Sequence, residues 1–193
     1  VIIPITITRD RSIQLIKDAE KGDKIIGVVS QKDSNIELPK VSDLNKIGTV
    51  AKILKVLKMP DGNITAVIQG RKRFELDEVI SSDPYYKANI KDYIELKPYS
   101  DKEFDALVSS IKDLALRIID ESPNIPNEAS IAIKNIKSSS FVINFVSSNM
   151  NLSVVDKQKL LEVNDLQERA LLSLKHMNVE LQRLELKNDI QSK

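Results

Sequence analysis

"KMPDGNITAVIQGRKRFEL", Lys58–Leu76, holds two of the chain's five glycines, one of its seven prolines and its densest basic cluster. Such a stretch suits a phosphate-gripping loop, a basic ribbon for nucleic acid or a turn between strands, and the choice decides the fold. Pro60 presets φ for position i+1 of a tight turn, Asp61 tolerates i+2, and Gly62 accepts a positive φ. Alternating runs flank the turn on both sides, so the spacing predicts an antiparallel hairpin. "QGRKR" then reads as the next corner, with Gly70 relieving backbone strain. Arg71, Lys72 and Arg73 read as residues of an exposed, mixed-charge strand. The glycines turn the chain and hold no ligand.

Outward from the hairpin, β-branched alternation marks "IIGVVSQ" (Ile25–Gln31), "TVAKILKVLK" (Thr49–Lys58), "ITAVIQ" (Ile64–Gln69), "FELDEVI" (Phe74–Ile80) and "YYKANIKDYIEL" (Tyr85–Leu96) as strands. One helix interrupts them: Asp10 or Ser12 caps "RSIQLIKDAEK" and Gly22 suits its stop. Many short strands with one helix predict a small, partly closed barrel. After the polar stretch Lys97–Lys102 the period becomes helical. Ser100 and Glu103 form a capping box, and the prolines of "ESPNIPNE" break the helix that follows. Further helices are predicted over about Glu128–Lys137 and through "FVINFVSSNM". From Asp156 neither Gly nor Pro occurs, which predicts one last helix, roughly 50 Å long at its rise per residue. The chain is read as α+β, with a β lobe over 1–98 and a helical lobe over 99–193 whose long helix starts near 156.

Composition narrows the function. The 193 residues are 41% hydrophobic and 30% charged, as in a globular protein. Lys+Arg 29 against Asp+Glu 28 leaves +1, too balanced for a global field that draws nucleic acid or an anionic membrane. Without cysteine the chain has neither disulfides nor thiolate metal sites. No apolar run reaches the roughly 18 residues of a membrane span. "VIIPITIT" is too short for a signal peptide, and a start in mid-strand without Met reads as a fragment of something longer.

Chemistry is sparse. Gly22 and Gly27 have P-loop separation, but Val28 and Val29 stand where Lys and Ser/Thr are required. His176 is the sole histidine, which excludes a multi-His metal site or a His-based triad within this chain. Asp77–Glu78 and Asp120–Glu121 are adjacent pairs whose side chains point apart, as solvated residues do. No local pattern nominates a Ser–Lys dyad. The expectation is a non-enzyme with no catalytic, metal or cofactor residues of its own.

Three stretches carry a resemblance. "LKMPDGNITAVIQGRKRFEL" resembles the "L-P-D-G … V-x-G-x-x-R" hairpin in the N-terminal domain of Lon, the ATP-dependent protease. "VIIPITITRDRS" is similar to that domain's early "P-x-x-V-x-P-L-x-V-x-R-x-x-S", with its front end missing. "VVDKQKLLEVNDLQERALLSL" (Val154–Leu174) looks like its "ADKQ-x-LLE-x-D-x-x-x-RL" helix. The resemblance implies a PUA-like β-barrel lobe, then a helical bundle ending in a long helix. It further implies recognition of unfolded, damaged or degron-bearing proteins and a part in assembling a homo-oligomer, a hexamer in the parent enzyme. ATP, magnesium, an AAA+ module and a Ser–Lys protease domain are implied for the parent alone. A bacterial cytoplasmic setting follows ahead of a mitochondrial matrix one. The missing front strand implies a sheet edge that is exposed or repaired by a partner chain. A stand-alone protein of this domain and an RNA-binding PUA-like module are the alternatives; the second requires steeply salt-dependent binding, which the balanced charge does not favour.

Two surfaces are nominated. Arg9 and Arg11 of "TRDRS" are expected either to serve the first helix's start or to border a surface that meets unfolded polypeptide. In the last helix, Ala170, Leu174, Met177, Leu181 and Leu184 follow a packing seam. Leu172, Val179 and Leu186 recur every seven residues on a nearly opposite side, suited to a second core surface or to another subunit.

Overall fold

Pro60, Asp61 and Gly62 turn the chain as their chemistry dictates: Gly62 N–H donates to Met59 O at 3.1 Å, and Gly62 has φ 88°. The Asp61 carboxylate accepts from Asn63 N–H at 3.0 Å. The turn joins β3 (Ile47–Lys58) to β4 (Ile64–Ser81). The computed structural model describes residues 1–98 and 100–193. They form two compact units, Val1–Ile94 and Glu95–Lys193; the boundary expected at 98/99 adjoins Tyr99, which lies outside the described residues.

In the first unit, β1 (Ile2–Ile7), β2 (Ile25–Val28) and β5 (Lys87–Asp92) complete an antiparallel sheet of order β1-β4-β3-β2, with β5 also on β4. β4 pairs with β1 through Ile64–Gln69 and with β5 from Phe74 to Ser81. Gly70 is therefore no corner, contrary to the sequence expectation. The strand runs through it because Arg71 is absorbed as a bulge: Lys72 faces Val50, and Gly70 faces Ala51. One extra residue bends and twists a strand without reversing it. The other predicted strands are shortened. β2 stops at Val28, after which Gln31 makes only a bridge to Leu44, and the last strand keeps Lys87–Asp92 of the expected Tyr85–Leu96.

α1 (Asp10–Lys21) lies on one sheet face, where Ile16 is buried with Ile7, Ile53, Ala66 and Ile68. Neither Asp10 nor Ser12 caps it; Arg9 occupies the N-cap position without a side-chain cap. The positive φ after the helix falls on Lys24, at 64°, and not on Gly22. Phe74, fully buried, packs where Gly27 and Gly48 leave room. A Cβ at Gly48 would stand 2.3 Å from Val28 O and 2.8 Å from the Phe74 ring, so the close approach of β2 to β3 requires glycine there.

The second unit contains α2 (Asp101–Asp120), α3 (Glu128–Asn135), α4 (Ser139–Asn149), α5 (Val154–Glu162) and α6 (Leu166–Gln191). Ser100, Ser138, Ser153 and Asp165 each accept a backbone N–H three residues on, fixing four helix starts. The core gathers Phe104, Ile111, Val142, Ile143, Leu160, Ala170 and Met177. The single helix expected from 156 is two helices. Asp165 caps α6 through Glu168 N–H at 2.9 Å, and Leu96 clips the elbow by accepting from Leu166 N–H at 3.0 Å and donating to Asn164 O at 2.8 Å. These bonds replace helical ones, so the absence of Gly and Pro did not guarantee continuity. Arg169, 3% exposed, pairs with Glu95 and donates to Val163 O at 3.4 Å, tightening the same elbow.

Gly48→Ala is expected to destabilise the protein by about 2 kcal/mol, the scale of forced overpacking, because the nearest obstacle is backbone. Gly70→Ala, whose added Cβ meets only Thr49 Cγ2 at 3.4 Å and Val1 O at 3.9 Å, is expected to cost far less. Urea unfolding of the two variants checks the contrast.

Candidate functional site

Among the described residues, no group of three or more His, Cys, Asp or Glu could hold a metal ion, and no helix is long and apolar enough to cross a membrane. The assets of the chain are surfaces.

Arg9 and Arg11 leave the end of β1 in different directions. Arg9 donates to Gln31 Oε1 at 2.7 Å and to Ile36 O at 3.3 Å. Arg11 donates to Pro84 O at 3.0 Å, and its guanidinium lies over the Tyr86 ring, 5.5 Å from the centroid. Tyr86 in turn donates to Pro39 O at 2.6 Å, and Tyr85 donates to Asp18 Oδ2 at 2.8 Å. Both arginines thus tie loops to the start of α1, and both border a groove of about 1120 Å³ beside β2. Ile25, Leu38, Val79 and Ile90 supply apolar lining, while Asp18, Asp23 and Glu37 offset the basic residues. Arg9 is the N-cap residue of α1 but does not cap it by its side chain; both arginine side chains fix loops instead, which their local sequence could not disclose because the acceptors lie 22 to 73 residues away.

The hydrogen bond to Asp18 raises the Tyr85 pKa above its ordinary value, with burial and the Asp18 charge adding to the effect.

On α6, Ala170, Met177, Leu181 and Leu184 are buried and Leu174 half-buried, so the predicted seam is the core side. Leu172 is half-buried against that core, whereas Val179 and Leu186 are 61% and 62% exposed. The stripe continues to Ile190, also exposed, one turn past Leu186. The sequence reading missed Ile190; its i+4 spacing from Leu186 was the available signal. It also missed Arg169 and Glu95, whose pairing spans 74 residues.

A sheet unit with one packed helix, followed by a helical unit, with chemistry confined to surfaces and loop ties, defines a binding module. The family model described as the ATP-dependent protease La (Lon) substrate-binding domain matches residues 1–179, and the chain belongs to that family. Lon protease of Flavobacterium johnsoniae is 63% identical over the whole chain, which covers 24% of that protein. Lon protease of Cytophaga hutchinsonii is 44% identical with the same coverage. The chain thus spans about a quarter of the length of these curated relatives. The solved N-terminal domain of the Mycobacterium avium complex Lon protease matches with a TM-score of 0.75, covering 92% of this chain and 90% of that one, at 19% identity, and shows the same mixed α and β fold.

Because the folded state holds the Tyr85 proton more tightly than the unfolded chain, this contact stabilises below the ordinary tyrosine pKa of about 10 and fades as pH rises through the higher folded value. Tyr85→Phe is expected to flatten that alkaline decline relative to wild type, read as urea midpoints between about pH 9 and 11.

Proposed function

We propose that this chain is the part of a Lon-type, ATP-dependent serine protease that takes hold of unfolded or degron-bearing proteins and helps the subunits assemble. The family match over 1–179 carries the reading, and the chemistry supports it: a binding module needs shaped surfaces, and these residues provide them. In this reading ATP and magnesium serve the parent protease, whose family is ATP-dependent. The bacterial relatives support a bacterial cytoplasmic setting.

Arg9 and Arg11 contribute to substrate contact by shaping the loops that edge the groove. Reversing both charges breaks the ties to Gln31, Ile36 and Pro84 and the stacking on Tyr86. Leu172, Val179 and Leu186 form the contact between copies, with the exposed Val179 and Leu186 at its centre. Burying two such side chains is worth roughly 3 kcal/mol before association costs, enough to shape assembly at high local concentration.

Reduced, carboxymethylated lactalbumin, a permanently unfolded protein, tests the first role. Wild type is expected to bind it and Arg9→Glu/Arg11→Glu to bind about fivefold more weakly, the scale of a few lost surface contacts; equal binding by the variant removes the arginines from the reading. Sedimentation tests the second. Val179→Asp/Leu186→Asp is expected to stay monomeric at concentrations where wild type associates, and a strictly monomeric wild type counts against self-association.

A further inference from the structure

The outer face of the first unit's sheet, turned away from α1, carries three cross-strand rows. Ile2 lies beside Gln69 and Lys52, Pro4 beside Val67 and Lys55, and Thr6 beside Thr65 and Leu57. A solvated sheet face ordinarily alternates to polar residues. Here Ile2 is 57% and Leu57 41% exposed, and Leu54, the extra residue of a second bulge, is exposed beside them. The three strand segments that build the face, Ile2–Ile7, Ile47–Lys58 and 64–70, contain no Asp or Glu. Lys52 and Lys55 have no ion-pair partner among the described residues, whereas Lys72 and Lys91 are paired with Asp92 and Asp77. The face therefore sets apolar Ile2, Pro4, Val67 and Leu57 among Gln69, Thr6 and Thr65, and the charges in its rows, Lys52 and Lys55, are both positive.

β1 is an edge strand over Ile2–Ile7, and its free edge lacks one donor. Gly70 N–H donates to Val1 O, so the alternation of an antiparallel ladder points the backbone of Ile2, Pro4 and Thr6 outward. Pro4 has no N–H to offer there. A polypeptide can engage this region through side chains lying across the face, whereas along the β1 edge it would meet one donor fewer at Pro4.

We propose that the outer face of β1, β4 and β3 docks an apolar stretch of unfolded polypeptide flanked by acidic residues. The apolar side chains lie over Ile2, Pro4, Val67 and Leu57, and the flanking carboxylates meet Lys52 and Lys55. The proposal rests on the substrate-binding reading above and adds to it a place and a sequence preference. The Lys52 row continues on β2 to Ile25, which also lines the groove that Arg9 and Arg11 border, so one long unfolded chain can touch both.

The test uses two fluorescein-labelled peptides that share the core GILFVLG, one flanked by paired glutamates and the other by paired lysines. Wild type is expected to bind the glutamate form about fivefold to tenfold more tightly at low salt, the difference shrinking as salt screens it. Lys52→Glu/Lys55→Glu, both at surface positions, is expected to reverse the preference. Leu57→Asp is expected to weaken both peptides about tenfold, with circular dichroism unchanged. Equal binding of the two peptides by wild type, or binding indifferent to these substitutions, overturns the site. If carboxymethylated lactalbumin still binds in that case, the substrate-binding reading stands and only this location falls; if it does not bind, both fall. A shift in sedimentation with Leu57→Asp and no change in peptide binding also overturns it, in favour of a second copy of the chain as the occupant.

Discussion

The backbone of β4 must find hydrogen-bond partners along 18 residues, and this requirement organises the sheet unit. β3 satisfies one side for most of that length, while β1 and β5 divide the other between them. The handover falls at Gly70–Arg73, where the bulge bends the strand. Each half of β4 therefore belongs to a different local sheet, and the bend lets Phe74 turn inward over Gly27 and Gly48. Unpaired backbone in a buried strand costs on the order of 1–3 kcal/mol per group. The division of partners is thus a structural necessity.

The helical unit solves a similar problem at its elbow. Val163–Asp165 interrupts what composition alone would make one helix, and the freed backbone groups are taken by Leu96 and by the Asp165 carboxylate. Arg169 adds a buried charge beside Glu95. Such a pair adds little net stability when intact, but leaving either partner alone is costly, on the order of several kcal/mol when fully buried. The elbow is consequently specified more sharply than its helix-favouring sequence suggests. The residues that support its family membership, "DLQERA", include both the cap and the buried arginine.

What the sequence disclosed follows the range of the interactions. The hairpin turn was legible because Pro60, Asp61 and Gly62 act on their own backbone. The Ser100 cap and the buried seam of α6 were legible for the same local reason. The continuation of β4 through Gly70 was not, because a glycine after a strand signals a corner or a bulge equally well, and only the partner strands decide. The elbow before α6 was hidden because its clip comes from Leu96, far back in the chain. Arg9 and Arg11 were picked out for their position, yet their actual partners, Gln31, Ile36, Pro84 and Tyr86, have no marker near "TRDRS". The outer sheet face was overlooked although its residues alternate visibly, since alternation names a face without saying which side the helix covers.

Leu96 bridges Asp165 at the start of α6, while Arg117 pairs with Glu185 and Asn188 donates to the Glu121 side chain at the far end. α2 and α6 therefore run parallel, and their peptide dipoles add side by side instead of cancelling. Partial positive charge gathers at the shared N-terminal end, and Asp101, Glu103, Asp165 and Glu168 are all placed there. At the opposite end α2 has Arg117 in its last turn. The shared N-terminal pole of this helix pair is therefore met by four carboxylates, so the charge that two aligned helices concentrate there is offset within the same turn of each.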